Sequence, residues 1–342
     1  MKQLKRTDII PLISGSLFYG TGGGGSPKRA KQILLEISKK NPLPSIIKTA
    51  YLNTNGICIT GFPIGNLQSD VIDNRLFQTM LNKYQAFLDQ IIQAIVPVEI
   101  GPLSLAVSVQ LASTLQLPLV DADIVGGRSS PEVFLETITL FSIPRTPLLV
   151  FNAQGAYKML TNKSTYQKEE FFLRSFAKKS GGFAYVFGYP LTKKAILRSV
   201  SQNTVSRAII VGNMITRKVL LKRSTKVGAK KLFSGKIISI KKIAQEGFSS
   251  KIVEMTNRKQ KSQLFIKNEN IIFWINNQVI LTCPDLIIMV NKDYYPVFNE
   301  DIKIGMKITV FGVKSVKLWR TPMGRELFSP KTFGFSFKPK LL

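Results

Sequence analysis

The sequence contains no histidine and only two cysteines, Cys58 and Cys283, in 342 residues. The first absence removes the commonest general base and the commonest metal ligand. The second leaves too few thiols for a disulfide framework or a zinc site. Catalysis would have to rest on Asp, Glu, Lys, Tyr or Cys, or on a metal. A metal held by oxygens would be magnesium, calcium or manganese rather than zinc. Long apolar runs are missing too, since none approaches the roughly 20 residues of a spanning helix. Lys2, Lys5 and Arg6 precede a short apolar stretch in the manner of a secretion signal, but Asp8 and Pro11 interrupt it and no clean small-residue cleavage site follows. The expectation is a cytoplasmic protein with no membrane association.

Acids are scarce as well. The 20 Asp and Glu face 48 Lys and Arg, a net charge of +28. The imbalance is one-sided: residues 1–150 carry 13 basic and 10 acidic side chains, residues 151–342 carry 35 and 10. The densest part runs from Arg217 to Lys261. Such a field attracts polyanions. The cations come singly or in pairs along alternating segments, however, and not as a tail. A solvated lysine-rich surface is expected in preference to a nucleic-acid interface.

What is present is a globular pattern long enough for two domains. Thr7–Tyr19 reads as a short helix ended by glycines, and Pro27 opens a second helix over Lys28–Lys40. Strands are expected around Ile46–Leu52 and Ile57–Thr60, joined by the tight-turn pair Asn55-Gly56. Ile72–Val96 reads as a long amphipathic helix, Pro102–Leu115 as a buried one, Leu117–Ala122 as a strand, Pro131–Phe141 as a helix and Pro147–Asn152 as a strand. Tyr166–Lys179 returns to helix, Phe183–Tyr189 to strand, and Thr192–Leu221 is mostly helical. After Gly228 short alternating segments follow one another, separated by turn signals. The expected fold is an α/β N-terminal domain with a mixed sheet over residues 1–175. An α+β C-terminal part over 176–342 is helical to about 230 and ends in a small β-barrel or sandwich.

Two stretches carry chemistry. Gly20–Pro27 (GTGGGGSP) leads from one helix into another. Its glycines admit positive φ and let a ligand approach the backbone, and the helix that follows presents free N–H groups. It is neither a phosphate loop closed by Gly-Lys-Ser/Thr nor a dinucleotide fingerprint. Thr21, Gly22, Gly23, Gly24 and Gly25 are the candidate binding residues; a flexible turn packed closely against a neighbouring element fits the run equally well. Val120–Glu132 (VDADIVGGRSSPE) follows a buried strand, where ligands lie in α/β sheets. Asp121 and Asp123 fall on one side if the strand continues through them, and could divide base and acid roles. Arg128 would clamp a carboxylate or neutralise the pair, and Glu132 adds a third acid. A capping Asp with an ion-paired Arg128 fits the same residues. Glu99, between Pro97 and Gly101-Pro102, either joins these acids or merely charges a helix entrance. The acids could hold a hard divalent cation; no cofactor is otherwise indicated. Cys58 and Cys283 read as small buried hydrophobes.

Taken together, Phe18–Pro27, Glu99–Pro102 (EIGP), Leu117–Glu132, Gln263–Asn270 with Pro284–Leu286, and Leu318–Gly334 (LWRTPMGRELFSPKTFG) make the chain resemble the S-methyl thiohydantoin desulfurase family over nearly its full length. The resemblance implies an N-terminal α/β domain that holds the site and a β-rich C-terminal domain. It also implies removal of sulfur, as methanethiol, from a thiohydantoin ring or chemistry on related hydantoins. Ile124 stands where the family pattern has a glycine after the second Asp, while the carboxylates and Arg128 are kept. The expected function is a hydrolase in which a carboxylate activates water beside an oxyanion site in the glycine loop. A non-catalytic ligand-binding or regulatory protein and a polyanion-binding protein are the alternatives. A small-molecule substrate, and a homo-oligomer at most, are the expected partners.

Overall fold

The computed structural model describes residues 2–65, 74–243 and 250–342. In chain order the first half supplies strands β1 (Lys2–Gln3), β2 (Ser45–Ile47), β3 (Ile57–Gly65), β4 (Ile92–Ile95), β5 (Leu119–Val120), β6 (Ala122–Asp123), β7 (Leu148–Phe151), β8 (Tyr157–Leu160), β9 (Phe183–Thr192) and β10 (Ser201–Gln202). Eight of them form one mixed sheet in the order β1-β2-β5-β4-β3-β9-β7-β8. Pairing is parallel through β2, β5, β4 and β3 and antiparallel elsewhere. The remaining two, β6 and β10, pair with each other. The chain thus leaves the large sheet at Asp121 and joins a second partner one residue later.

Helices α1 (Ile9–Tyr19), α2 (Pro27–Lys40), α3 (Asn74–Leu88), α4 (Pro102–Thr114), α5 (Tyr166–Lys179), α6 (Lys193–Ser199), α7 (Thr204–Thr216) and α8 (Pro322–Leu327) pack around these sheets. Helix α2 starts at Ser26, whose side chain accepts the Arg29 N–H, and has Pro27 in its first turn. It buries Ala30, Ile33, Leu34 and Ile37, the helical stripe that amphipathic spacing dictates. Helix α1 is buried on almost every face, because α7 lies against it at very short range. Gly15 faces the Ala208 carbonyl and Gly212 faces the Pro11 carbonyl, so closely that neither position has room for a Cβ.

Strands β11 (Lys230–Ile243), β12 (Ser250–Thr256), β13 (Lys261–Lys267), β14 (Glu269–Ile275), β15 (Gln278–Thr282), β16 (Leu286–Asn291) and β17 (Lys307–Val313) form a curled antiparallel half-barrel. Phe233, Ile237, Val253, Leu264, Phe273, Ile287 and Val310 fill its inside. The mixed α/β first half and the β-rich second half are the expected fold.

Four local expectations are corrected. The amphipathic pattern over Ile72–Val96 is broken: its first two residues lie outside the described residues, α3 ends at Leu88, and Ile92–Ile95 is strand β4. Asp89 takes a left-handed φ of 50° at that break. The two strands flanking Asn55-Gly56 are no hairpin; β2 pairs with β1 and β5, and β3 with β4 and β9. Pro131–Phe141 holds only a 3-10 turn at Thr137–Phe141, where the Thr137 hydroxyl donates to the Ile124 and Ser199 carbonyls. Leu117–Ala122 is divided between β5 and β6.

Candidate functional site at the seam of the two halves

The glycine run is the seam between the mixed sheet and the half-barrel. On one side the Leu103 N–H, at the start of α4, donates to the Gly24 carbonyl at 2.9 Å. On the other, the Asn270 N–H donates to Thr21 O at 3.0 Å and the Asn299 N–H to Gly22 O at 2.8 Å. The Gly24 N–H donates to Glu269 Oε1 at 3.2 Å. Gly22, Gly24 and Gly25 have φ of 81°, 75° and 81°, a region that only glycine enters cheaply. Gly23 is absent from this set, which corrects its expected positive φ. It is glycine because the Glu269 carboxylate lies where its Cβ would be.

Glu99 sits at the entrance of α4, where Gly101 and Pro102 turn the chain. Its Oε1 accepts the Ser104 hydroxyl at 2.6 Å and its Oε2 the Ser130 N–H at 3.0 Å. It keeps 9% exposure, whereas Asp123, Arg128 and Glu269 have none. Burial pushes its carboxyl up to about 7, against the lowering effect of those two hydrogen bonds. Glu269 is raised well above the usual carboxylate range by burial first and by the charge of Glu99 second; Arg128 opposes this.

Arg128 runs from the first half into the second. Its Nε donates to Ser129 O at 3.0 Å and its Nη1 to Pro284 O at 2.7 Å. The guanidinium lies 4.5 Å from the centre of the Phe328 ring, and Nη2 has no partner among the described residues. Burial lowers its pKa, opposed by Cys283, Glu269, Asp285 and Glu99. Glu132 crosses the same seam to Lys267, 2.6 Å away, and Trp319 Nε1 donates to the Val125 carbonyl at 2.6 Å.

The two aspartates serve turns and helix starts. Asp121 accepts the Ser206 N–H at 2.9 Å and the Ser206 hydroxyl at 2.7 Å, so it caps α7. Asp123 accepts the Gly126 and Gly127 N–H groups at 2.8 and 2.7 Å, and burial pushes its carboxyl up to about 7. Replacing Asp121 with alanine is expected to remove about 1 kcal/mol of stability, the usual worth of a lost cap, and to leave turnover intact. Chemical denaturation and an activity assay on the same preparation check both.

Glu269, Asn270 and Asn299 complete the site and were not singled out individually from the sequence. For Glu269 and Asn270 the signal was there in the Asn268-Glu269-Asn270 stretch that carries part of the resemblance; Asn299 lies outside the stretches of the resemblance. Cys283 is fully buried and its thiol is pushed up to about 12, which suits an inert packing residue rather than a nucleophile. Asp285 collects the Ser315 N–H and hydroxyl, Arg320 and the Leu342 N–H. It anchors the C-terminal segment. Among the described residues no group of three or more His, Cys, Asp or Glu is placed to hold a metal.

A two-part α/β and half-barrel protein with buried acids at the junction is the class that fold and seam define. The sequence matches the model of the S-Me-THD-like N-terminal domain over residues 7–162 and that of the S-Me-THD-like C-terminal domain over 164–341. The chain belongs to this S-methyl thiohydantoin desulfurase-like family. A solved structure of a Chromobacterium violaceum protein, a structural-genomics target, is similar in fold, with a TM-score of 0.85 at 18% identity over 99% of each chain. No curated protein matches the sequence. Among the described residues no helix is long and apolar enough to cross a membrane.

Proposed function

We propose that the seam binds an S-methyl thiohydantoin or a related hydantoin-like ring and that Glu99 is the base that activates water. The observation that carries this reading is Glu99 itself. It is a buried carboxyl held up to about 7, beside the glycine loop and within electrostatic reach of Arg128 and Glu269. A group with that pKa both accepts and returns a proton near neutrality. Water would add to the ring carbon bearing sulfur, its proton passing to Glu99. The C–S bond would then break and methanethiol would leave with that proton, while the remaining hydroxyl proton passes to the ring nitrogen, so that a ring carbonyl replaces the thioether. No oxidant or reductant is required. Arg128 Nη2 is the unused donor suited to the ring oxygen or nitrogen on which charge develops.

Asp121 and Asp123, with their oxygens taken by Ser206, Gly126 and Gly127, hold the frame in this scheme, and Glu132 holds the two halves together. Arg128 and Glu269 are fully buried, so a ligand would enter past Glu99 and the half-buried Gly25 and Ser26 as the loop shifts. The test is release of thiol from an S-methyl thiohydantoin by the purified protein, followed with a thiol reagent. Release well above the blank supports the reading; none from a panel of ring substituents removes it.

Polyanion binding has one observation in its favour. Lys236 pairs across the half-barrel with Lys307, and Lys230, Lys231, Lys241, Lys242, Lys259 and Lys261 are exposed with it. Among the described residues from 230 to 261 the aromatic is Phe233, buried inside the half-barrel, so it offers no face for the base stacking that makes single-strand binding tight. Affinity for single-stranded RNA is therefore expected to be weak and to fall steeply between about 50 and 200 mM salt, as counterion release requires. Sub-micromolar, sequence-dependent binding that persists at the higher salt would move the function to the basic face.

A further inference from the structure

The half-barrel side of the glycine loop carries a set of buried oxygens that accept nothing from the described residues. Glu269 uses Oε1 for the Gly24 N–H and for Asn268 Nδ2, 2.9 Å away, and its Oε2 has no partner among the described residues. Asn299 donates from Nδ2 to Asn268 O at 2.7 Å and to Thr21 O at 3.5 Å. That fixes the amide and leaves Oδ1, an acceptor only, without a donor. Asn270 is oriented in the same way by Ile287 O at 2.9 Å and also leaves Oδ1 unused. The Thr21 hydroxyl is the fourth such group. All four residues are buried.

These groups gather round one short piece of backbone. The Asn299 amide lies against Gly22 where a Cβ would meet it, the Glu269 carboxylate lies against Gly23 in the same way, and the Asn270 N–H holds Thr21 O. Buried acceptors are nearly always satisfied in folded proteins. The set here is one carboxylate, two amide oxygens and one hydroxyl, with no nitrogen or sulfur ligand. Oxygen-only sets of this kind suit hard cations.

We propose that a hard cation binds at the seam between the glycine loop and the half-barrel, held by Thr21 Oγ1, Asn299 Oδ1 and Glu269 Oε2 with Asn270 Oδ1 in support. Such an ion would tie Thr21–Gly24 to β14 and to the Asn299 turn, which fixes the loop from the half-barrel side. The site differs from the Glu99 chemistry and does not depend on it.

The test is thermal melting of the full chain in sodium, potassium, magnesium or calcium chloride against tetramethylammonium chloride at equal ionic strength. At least one of the four metal salts is expected to raise the melting temperature by several degrees over the tetramethylammonium control. Thr21→Val removes only the hydroxyl, and Glu269→Gln keeps an acceptor for Gly24 while removing the charge. Both are expected to lose the cation-specific rise, and Glu99→Gln is expected to keep it. Should Glu269→Gln fail to fold, Thr21→Val decides alone. Equal melting in all five salts would overturn the proposal, as would a cation effect that both seam variants retain.

Discussion

Glu99→Gln is expected to lower turnover by about 10²- to 10⁴-fold, the usual contribution of a general base, while the protein melts at a higher temperature than the parent at pH 8. Glutamine keeps an acceptor for the Ser130 N–H and can donate to the Ser104 hydroxyl, so the frame of the α4 entrance survives. The sign of the stability change follows from burial. The Glu99 carboxyl is raised from 4.5 to about 7 in the folded protein, so folding favours its protonated form. The stability this group contributes is complete below about pH 4.5 and is lost as the pH rises through about 7. Glutamine removes that loss. The variant should gain a few degrees at pH 8 and match the parent near pH 5. A variant that loses activity and is also less stable at pH 8 would make Glu99 a frame residue.

Gly24→Ala should be among the most damaging single-methyl additions to the loop. Its φ of 75° costs a side-chain-bearing residue about 1 kcal/mol. Its Cβ would also fall against the Gly101 Cα and the Ser129 hydroxyl. The first of these is backbone, which yields only if α4 moves. A loss of about 3 kcal/mol or more is expected, roughly 4 °C or more in melting temperature for a chain of this size. Gly23→Ala should cost less in stability, because the obstacle there is the end of the Glu269 side chain, but should disturb the seam's polar groups more. Equal melting of Gly24→Ala and the parent would show that the loop is free to rearrange.

Much of this was legible before the structure. Helices α2, α4 and α5 follow from spacing, caps and proline placement, and the passage into the half-barrel follows from the change to alternating short segments after Gly228. The misread elements share a cause: local pattern carries no information on pairing partners. Ile92–Ile95 continues the periodicity of α3, and the intervening Asp89 adopts a left-handed conformation with neither glycine nor proline to announce it. Asn55-Gly56 marks a turn, but the strands on either side go to different neighbours. Asp121 and Asp123 drew attention as a pair, although each is occupied by backbone or serine groups from nearby turns. Glu269 was harder to see, because its importance comes from meeting Gly23 and Gly24, some 245 residues away in sequence. The quoted stretches converge all the same. Thr21 meets Asn270, Arg128 meets Pro284, Glu132 meets Lys267 and Val125 meets Trp319, all across one junction.

Two depressions in the surface lie away from the seam. A 590 Å³ hollow beside Asn55, Gln85, Asp89 and Ile91 gathers amides and one acid. A 500 Å³ groove is lined by Phe134, Leu140, Tyr166, Met323 and Leu327 together with Thr139, Glu326 and Thr332. Neither brings a raised carboxyl to a guanidinium and a glycine backbone.

The most direct measurement is a crystal structure of the Glu99→Gln variant, disabled in turnover, with an S-methyl thiohydantoin bound. The ring is expected at the seam, with its sulfur-bearing carbon near the substituted side chain and a ring heteroatom within hydrogen-bond distance of Arg128 Nη2. A ring found in the groove beside Phe134 and Tyr166, with the seam closed as it stands here, would contradict the assignment of the site to the seam.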